Sequence, residues 1–436
     1  MPRFASMAAD PGLLALPWNT PLAEWPQHHL VALPRGISRH VVRFIRNRGQ
    51  VYALKEAAER YVVRENRLLR DLERLDVPSV DSVGIVLDRV DAAGEPLDPI
   101  LITRHLSFSL PYRAVFSRTL RPDTVVRLVD ALAALLVRLH LAGFFWGDCS
   151  LSNTLFRRDA GAFAAYLVDA ETGDLHDELS PGQRSYDLDL AHTNIFGELM
   201  DLQAGGYLSE DLELLELADT VVERYQRLWA ELTEPEEFDT GEMYRLEQRI
   251  QRLNDLGFDV AELDIHTDFD GRHIRIQPKV VDAGHHSRRL LRLTGLDVEE
   301  NQARRLLNDL DAFRAATEQQ YEDEEIVAHQ WLTEVFEPVV QAVPAELRGK
   351  LEPAEVFHEV LEHRWYRSEN AHRELPLLES ARSYVDTVLR MRPDEREALP
   401  RGEDTLTDME AVPDDTLTDL EPVRDLDPRP GHRPRP

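Results

Sequence analysis

From residue 29 to residue 103 the chain alternates short apolar runs with polar breaks, interrupted by one helical period. Residues 29–33, 41–45, 51–55, 83–87 and 100–103 are β-branched or alternate apolar with polar positions, the pattern of half-buried strands. A Pro- and Gly-containing stretch, residues 34–39, separates the first pair, and Asn47-Arg48-Gly49 turns the second. Residues 56–75 place their apolar positions at helical spacing instead. The pattern predicts five strands with one inserted helix. Residues 1–28, rich in proline and small side chains, read as an extended segment over the surface.

Further on, Val125, Val129, Leu132, Leu136 and Leu139 recur at helical spacing, with Asp123 or Thr124 as a cap. Val126, Leu128, Ala133 and Leu135 make that helix apolar on most of its circumference, which predicts burial. Two short strands, 154–157 and 164–168, bracket a turn at 159–161, and helical segments follow near 185–203 and 209–232. Glu234-Pro235-Glu236-Glu237 reads as a linker. Beyond it Met243, Leu246, Ile250, Leu253 and Leu256 form a helix stripe closed by Gly257. Residues 259–266 and 272–280 form a hairpin across Asp270-Gly271, and helices dominate to about residue 392. After Pro400 the chain is acidic, proline-rich and without apolar pattern, and repeats Asp-Thr-Leu-Thr-Asp at 404–408 and 415–419, so disorder is expected there. The predicted class is α+β: an extended 1–28, a two-lobed unit 29–232 split at 105/106, a mainly helical unit 233–400, and a disordered tail 401–436.

With 436 residues and 43% hydrophobic positions, two or three cores are within reach. A formal charge of −30 argues against nucleic acid and anionic lipid as partners, because both demand basic surface. The single cysteine, Cys149, excludes an internal disulfide and a paired-cysteine metal site. The longest apolar region, 125–142, carries Arg127, Asp130, Arg138 and His140, so it is no membrane span, and a cytoplasmic protein is expected.

Candidate chemistry begins with a scarcity: Lys55, Lys279 and Lys350 are the only lysines, every other basic side chain of this kind being arginine. Lys55 ends a predicted strand, and Glu65 lies in the helix that follows. Asp148 and Asn153 share one loop at the spacing D-x-x-x-x-N, and Asp169 ends the next apolar strand. In that order a lysine, its glutamate, a basic aspartate, an asparagine and a second aspartate can move a phosphoryl group from Mg-ATP. Lys55 would hold the α- and β-phosphates with Glu65 fixing it, Asp148 would accept the proton of an attacking hydroxyl, and Asn153 and Asp169 would bind Mg²⁺. Arginine cannot replace a compact ammonium in such a slot, so retention of lysine at position 55 is informative.

These residues resemble the protein-kinase-like superfamily over about residues 30–230, closest to lipopolysaccharide (Kdo/heptose) kinases and RIO-type kinases. Ser150, two positions after Asp148, is similar to the RIO-type loop. The segment 184–191 resembles the helix whose aspartate, here Asp187, braces the catalytic loop. The remainder resembles a bacterial family that joins such a unit to a C-terminal domain of unknown function. The resemblance implies a kinase N-lobe at 29–105, a C-lobe at 106–232, ATP and Mg²⁺ as cofactors, and an unidentified hydroxyl acceptor. It also implies a phosphate-covering loop with a single glycine, Gly36. Trp146 stands where the family carries a histidine, a position that supports loop geometry. Asp169-Ala170-Glu171 replaces the usual metal-binding triplet; Glu171 is expected to face solvent, with a further carboxylate for the metal site as the alternative.

Other features carry milder expectations. His358-Glu359 and Glu362-His363 space their histidines five apart rather than the four of a zinc helix, so a hydrogen-bonded helix face is expected. His285, His286, Arg288, Arg289 and Arg292 form a basic cluster, read as salt bridging with anion binding as the alternative. Cys149 reads as packing. A different class of function is a nucleotide-binding pseudokinase acting on a protein partner through residues 233–400 or the tail; nucleic-acid binding through the basic cluster is a third.

Overall fold

The computed structural model describes residues 2–5, 11–31, 33, 39–115, 122–239, 244–255, 257–267 and 273–396. The alternating N-terminal segments pair into one antiparallel sheet of β1 (Arg3–Ala5), β2 (Leu30–Val31), β3 (Val41–Asn47), β4 (Gln50–Glu56), β5 (Ser82–Leu87) and β8 (Ile100–Arg104). Its order is β1-β5-β8-β4-β3-β2, with a small ribbon of β6 (Arg89–Val90) and β7 (Pro96–Leu97) beside it. Arg48 and Gly49, both at positive φ, form the two-residue β3–β4 turn whose twist suits a hairpin. Helix α2 (Glu59–Arg74) packs on the sheet through Val62, Leu68, Leu69 and Leu72.

The N-terminal segment is a correction. Rather than lying over the surface, it adds β1 to the sheet edge and, with the short α1 (Pro11–Leu14), caps one sheet face. Leu13, Trp18, Leu22 and Trp25 are all buried in a core with Ile45, Leu54 and Ile100. The two tryptophans can be buried because their indole N–H groups donate to the Leu13 and Thr20 carbonyls. Arg89, fully buried, ties the segment down by donating to the Trp18 and Thr20 carbonyls and pairing with Glu56. A buried charge is tolerated only when paired and hydrogen-bonded in this way.

The next layer comprises β9 (Ser109–Pro111), α3 (Tyr112–Val115), α4 (Pro122–Leu141), β10 (Phe144–Phe145), β11 (Thr154–Asp159), β12 (Ala162–Leu167), β13 (Asp174–Leu175), α5 (Pro181–Ala204) and α6 (Leu214–Thr233). Helix α4 is buried on most sides, with Val126, Arg127 and Asp130 exposed. The Asp123 side chain lies outside the described residues, and so does Gly36. Ser180 and Gln183 form a reciprocal capping box at the start of α5.

The linker expected at 234–237 is partly strand: β14 (Glu236–Asp239) pairs with β16 (His273–Ala283), which also pairs with β15 (Phe258–Thr267). An open strand edge leaves backbone N–H and C=O groups unpaired, and β14 satisfies them. Helix α7 (Tyr244–Asp255) precedes this sheet, and its Leu253, with Phe258, belongs to the same core as α4 to α6. A separate core follows, built by α8 (His285–Thr294), α9 (Glu300–Ala316), α10 (Glu324–Trp331), α11 (Glu337–Gln341), α12 (Pro353–Ala371) and α13 (Leu377–Thr387). A π-turn at 332–336 joins α10 to α11 just before Pro338, whose missing N–H would interrupt a regular helix. The predicted tail, 401–436, lies outside the described residues.

Between the two cores the contact is polar and centres on the β11–β12 hairpin. Arg157 pairs with Glu299 at 2.8 Å, and Arg158 makes two 2.8 Å bonds to Glu395. Asp159 accepts from the Gln302 backbone N–H at 2.7 Å and the Asn301 amide at 2.8 Å. Glu355, buried, accepts from the Ala160 backbone N–H at 2.9 Å and the Gln302 amide at 3.0 Å. Removing a buried acceptor strands its donors at a cost of about 1–3 kcal/mol. Glu355→Ala is therefore expected to lower the melting midpoint by several degrees, measured by circular dichroism, whereas Glu362→Ala on the exposed face of the same helix leaves it unchanged.

Candidate functional site

Glu65 occupies a position on α2 that sequence spacing would give to an apolar residue, in line with Val62, Leu69 and Leu72. A carboxylate on the buried stripe needs a cation, and β4 supplies it. Ala53 and Lys55, two apart on β4, point into the same cleft, and Lys55 Nζ lies 3.1 Å from Glu65 Oε2. The same ammonium lies 2.7 Å from Asp169 and 2.7 Å from Glu171, so one cation holds three carboxylates. Burial, with Asp169 beside it, pushes Glu65 up to about 8. Burial also disfavours the Glu171 carboxylate, but bonds from His40 and Lys55 outweigh it and hold Glu171 down at about 2.

Glu171 is a second correction: its side chain is 5% exposed and sits against Lys55, His40 and Arg39 instead of facing solvent. Its backbone N–H donates to Asp169 Oδ1 at 3.0 Å, a turn that brings both carboxylates to the same side. Carboxylate oxygens of Glu65, Asp169 and Glu171 lie within 4.8 Å of one another, the one such group among the described residues. No comparable group forms around His358, whose Nε2 lies 3.5 Å from Glu362, while His363 bonds Ser383.

Asp148 and Asn153 face the same cleft, a cavity of about 570 Å³ that also takes in Lys55, Glu65, Asp169 and Glu171. Asn153 donates its amide to both the carbonyl and the carboxylate of Asp148 at 3.0 Å. Asn194 donates to the other Asp148 oxygen at 3.2 Å. Burial raises the pKa of Asp148 above its ordinary value. Apolar residues Val42, Ala53, Leu101 and Leu155 line the rest of the cavity.

One face of α5 holds this loop in place. Asp187, fully buried, accepts from the backbone N–H groups of Trp146 and Gly147, both at 2.8 Å, and bonds His140 at 3.0 Å. Glu198 accepts from the backbone of Leu151 and Ser152. Asp187, Asn194 and Glu198 fall at helical spacing with buried Ala191 between them, so polar side chains on a core-facing stripe were the signal available for the last two. Trp146 does more than fill the space of a histidine: its indole N–H donates to the Asp169 carbonyl at 2.9 Å, joining the two loops. Gly147 sits at φ +76, and a Cβ there would press on the Phe145 ring. Cys149 is buried, and burial pushes its thiol well up, which removes it as a nucleophile.

A carboxyl whose pKa falls on folding contributes stability above its unfolded value and loses it as pH drops toward the folded one. For Glu171 that window runs from its ordinary value of 4.5 down to about 2. Glu171→Gln should thus melt below the wild type at pH 7, with a similar gap at pH 5 and a clearly smaller one at pH 3.5. A constant gap across these pH values would contradict the ion-pair account.

Two family models match. Residues 35–194 match the lipopolysaccharide kinase (Kdo/WaaP) family, and residues 227–389 match the domain of unknown function DUF4032. A search of curated proteins found no match. Among solved structures, "WaaP in complex with acyl carrier protein" is similar at 17% identity and a TM-score of 0.35, over 58% of this chain and 99% of that one. Helix and strand together make the described residues the mixed class that the pattern predicted. It is kinase-like, similar over residues 35–194 to the Kdo/WaaP lipopolysaccharide kinases and continuing into a DUF4032 segment.

Proposed function

We propose that this protein transfers the γ-phosphoryl group of Mg-ATP to a hydroxyl-bearing acceptor, with residues 29–232 as the catalytic part. The observation that supports this most is the meeting of Lys55, Asp148, Asn153 and Asp169 in one cleft, from three separate stretches of chain. The apolar lining suits a planar base, and Lys55 suits the phosphates.

The donor set fits a divalent cation. Three carboxyl groups meet around a single ammonium, and hard oxygen donors are what Mg²⁺ takes. Asp169 and Asn153 would hold the ion, with Glu171 as a further carboxylate. When bound, Mg²⁺ neutralises charge developing on the phosphate oxygens. Asp148 takes the proton of the attacking hydroxyl. Its two oxygens are oriented by the Asn153 and Asn194 amides, and its raised pKa makes it the stronger base once ionised. A nucleotide-binding regulatory module is the second reading, favoured by Lys55 already being bonded to three carboxylates that a phosphate would have to displace.

Mg-ATP should raise the melting midpoint of the wild type, as any ligand selective for the folded state does. Lys55→Ala and Asp169→Asn should lose most of that shift. In Asp148→Asn the shift should persist while ATP turnover falls by about 10²–10⁴, the usual contribution of a positioned base. Turnover should also fall on acidification, as Asp148 protonates. Binding without wild-type turnover would favour the regulatory reading, and an equal shift in all variants would put the nucleotide elsewhere.

A further inference from the structure

The hairpin that connects the two candidate metal ligands is gripped by the C-terminal helices on the face it turns toward the cleft. Its ladder runs up to both ligands: the Val168 N–H, one residue before Asp169, donates to the Asn153 carbonyl at 3.0 Å. Side chains alternate across a strand, so Leu155 and Arg157 share one face of β11, with Tyr166 opposite Leu155 on β12. Phe156 and Leu167 lie on the other face, in the core. At its inner end the first face continues into the cleft, whose wall includes Asn153, Leu155 and Val168.

At its outer end that face meets Glu299, the residue just before α9, which bonds both strands at once. The Glu299 carboxylate takes Arg157 of β11 at 2.8 Å and the hydroxyl of Tyr166 of β12 at 2.6 Å. Glu352, just before α12, takes a second nitrogen of Arg157 at 2.5 Å. The Glu299 and Arg157 side chains are only 9% and 15% exposed, so water competes little with these charge-assisted bonds. Burial, with Glu299 beside it, pushes the Tyr166 hydroxyl well up, which keeps it a donor. A carboxylate bonded to two neighbouring strands fixes their lateral spacing, and Arg157 is only about 13 Å of strand from Asn153.

We infer that Glu299 is a positioning residue for the cleft: acting through Arg157 and Tyr166, it sets the spacing of Asn153 and Asp169, so that the region matching DUF4032 tunes the metal affinity of the kinase-like part. The inference rests on the reading of Asn153 and Asp169 as metal ligands. A close-packed hairpin passes a displacement at one end to the other. Groups that orient metal ligands govern affinity nearly as strongly as the ligands do. Glu355 makes the contrasting contact: it accepts from the Ala160 N–H at 2.9 Å, at the turn, the end of the hairpin remote from the ligands.

The test is the Mn²⁺ affinity of the full-length protein with a non-hydrolysable ATP analogue present, read from the electron paramagnetic resonance of the free ion, alongside the Mg²⁺ dependence of ATP turnover. Tyr166→Phe removes one hydroxyl, and Glu299→Gln keeps an acceptor for Tyr166 while losing the charge that holds Arg157. Each should raise the Mn²⁺ Kd by roughly three- to tenfold, less than the roughly 10–100-fold typical of a group bonded to a ligand itself. Half-saturating Mg²⁺ should rise in step, with turnover at saturating Mg²⁺ little changed. Glu355→Ala should melt lower yet bind Mn²⁺ like the wild type, which is how the Glu299 variant would behave if its role were structural alone. Circular dichroism confirms folding, and Tyr166→Phe decides alone if Glu299→Gln does not fold. Wild-type Mn²⁺ affinity in the folded variants, or an equal loss in Glu355→Ala, would overturn the inference and leave the metal reading standing. No Mn²⁺ uptake by the wild type, or unchanged uptake by Asp169→Asn, would instead sink the metal reading and this inference with it.

Discussion

One ammonium group closes the cleft from three directions. Lys55 comes from the sheet, Glu65 from the helix packed on it, and Asp169 with Glu171 from the loop after β12. Its charge makes it tolerable to bury Glu65 at 3% side-chain exposure and Glu171 at 5%. Unpaired, each would incur a desolvation penalty of several kcal/mol. The clasp gathers three carboxyl groups around one buried ammonium, with Arg39 at its exposed rim, so the cleft offers oxygen donors to a further cation.

Around the clasp, the loops are positioned by side chains that accept backbone N–H bonds. Asp187 and Glu198 each take two loop amides, and Trp146 joins the 146–153 loop to Asp169. The hairpin between Asn153 and Asp169 is held from the other side, by Glu299, Gln302, Glu355 and Glu395 of the C-terminal helices. Both ends of this hairpin reach the cleft, and its turn, at Ala160, borders a second cavity against α8, α9 and α12. The helical region that matches DUF4032 is thus packed against the strands that connect the two candidate metal ligands.

Much of this was legible in the residues alone. Alternation marked five of the six strands of the N-terminal sheet, all but β1, because a strand with one buried face must repeat every second residue. A helical stripe marked α2 and α4. Lys55, Glu65, Asp148, Asn153 and Asp169 were identifiable by order and spacing, since loops of short fixed length limit where their side chains can go. The linker expected at 234–237 was misjudged, because proline and glutamates read as solvent-facing while backbone pairing with β16 required no apolar side chain.

What needed the fold were the contacts between segments distant in sequence. Residues 1–28 looked like a surface strand of low pattern, and only the uncovered face of the sheet gives Trp18 and Trp25 somewhere to be buried. Glu171 is polar and follows a turn, which locally favours solvent; Lys55, 116 residues away in sequence, reverses that. The roles of Asn194, Glu198 and Trp146 depend on which backbone groups lie opposite them. Likewise, Arg289 of α8 and Arg304 and Arg305 of α9 line one cavity only once the two helices pack side by side. Local sequence determines periodicity, caps and loop reach, because these depend on neighbours along the chain. Burial and charge pairing are settled by the tertiary structure, because a carboxylate's environment is whatever the fold brings within a few ångströms of it.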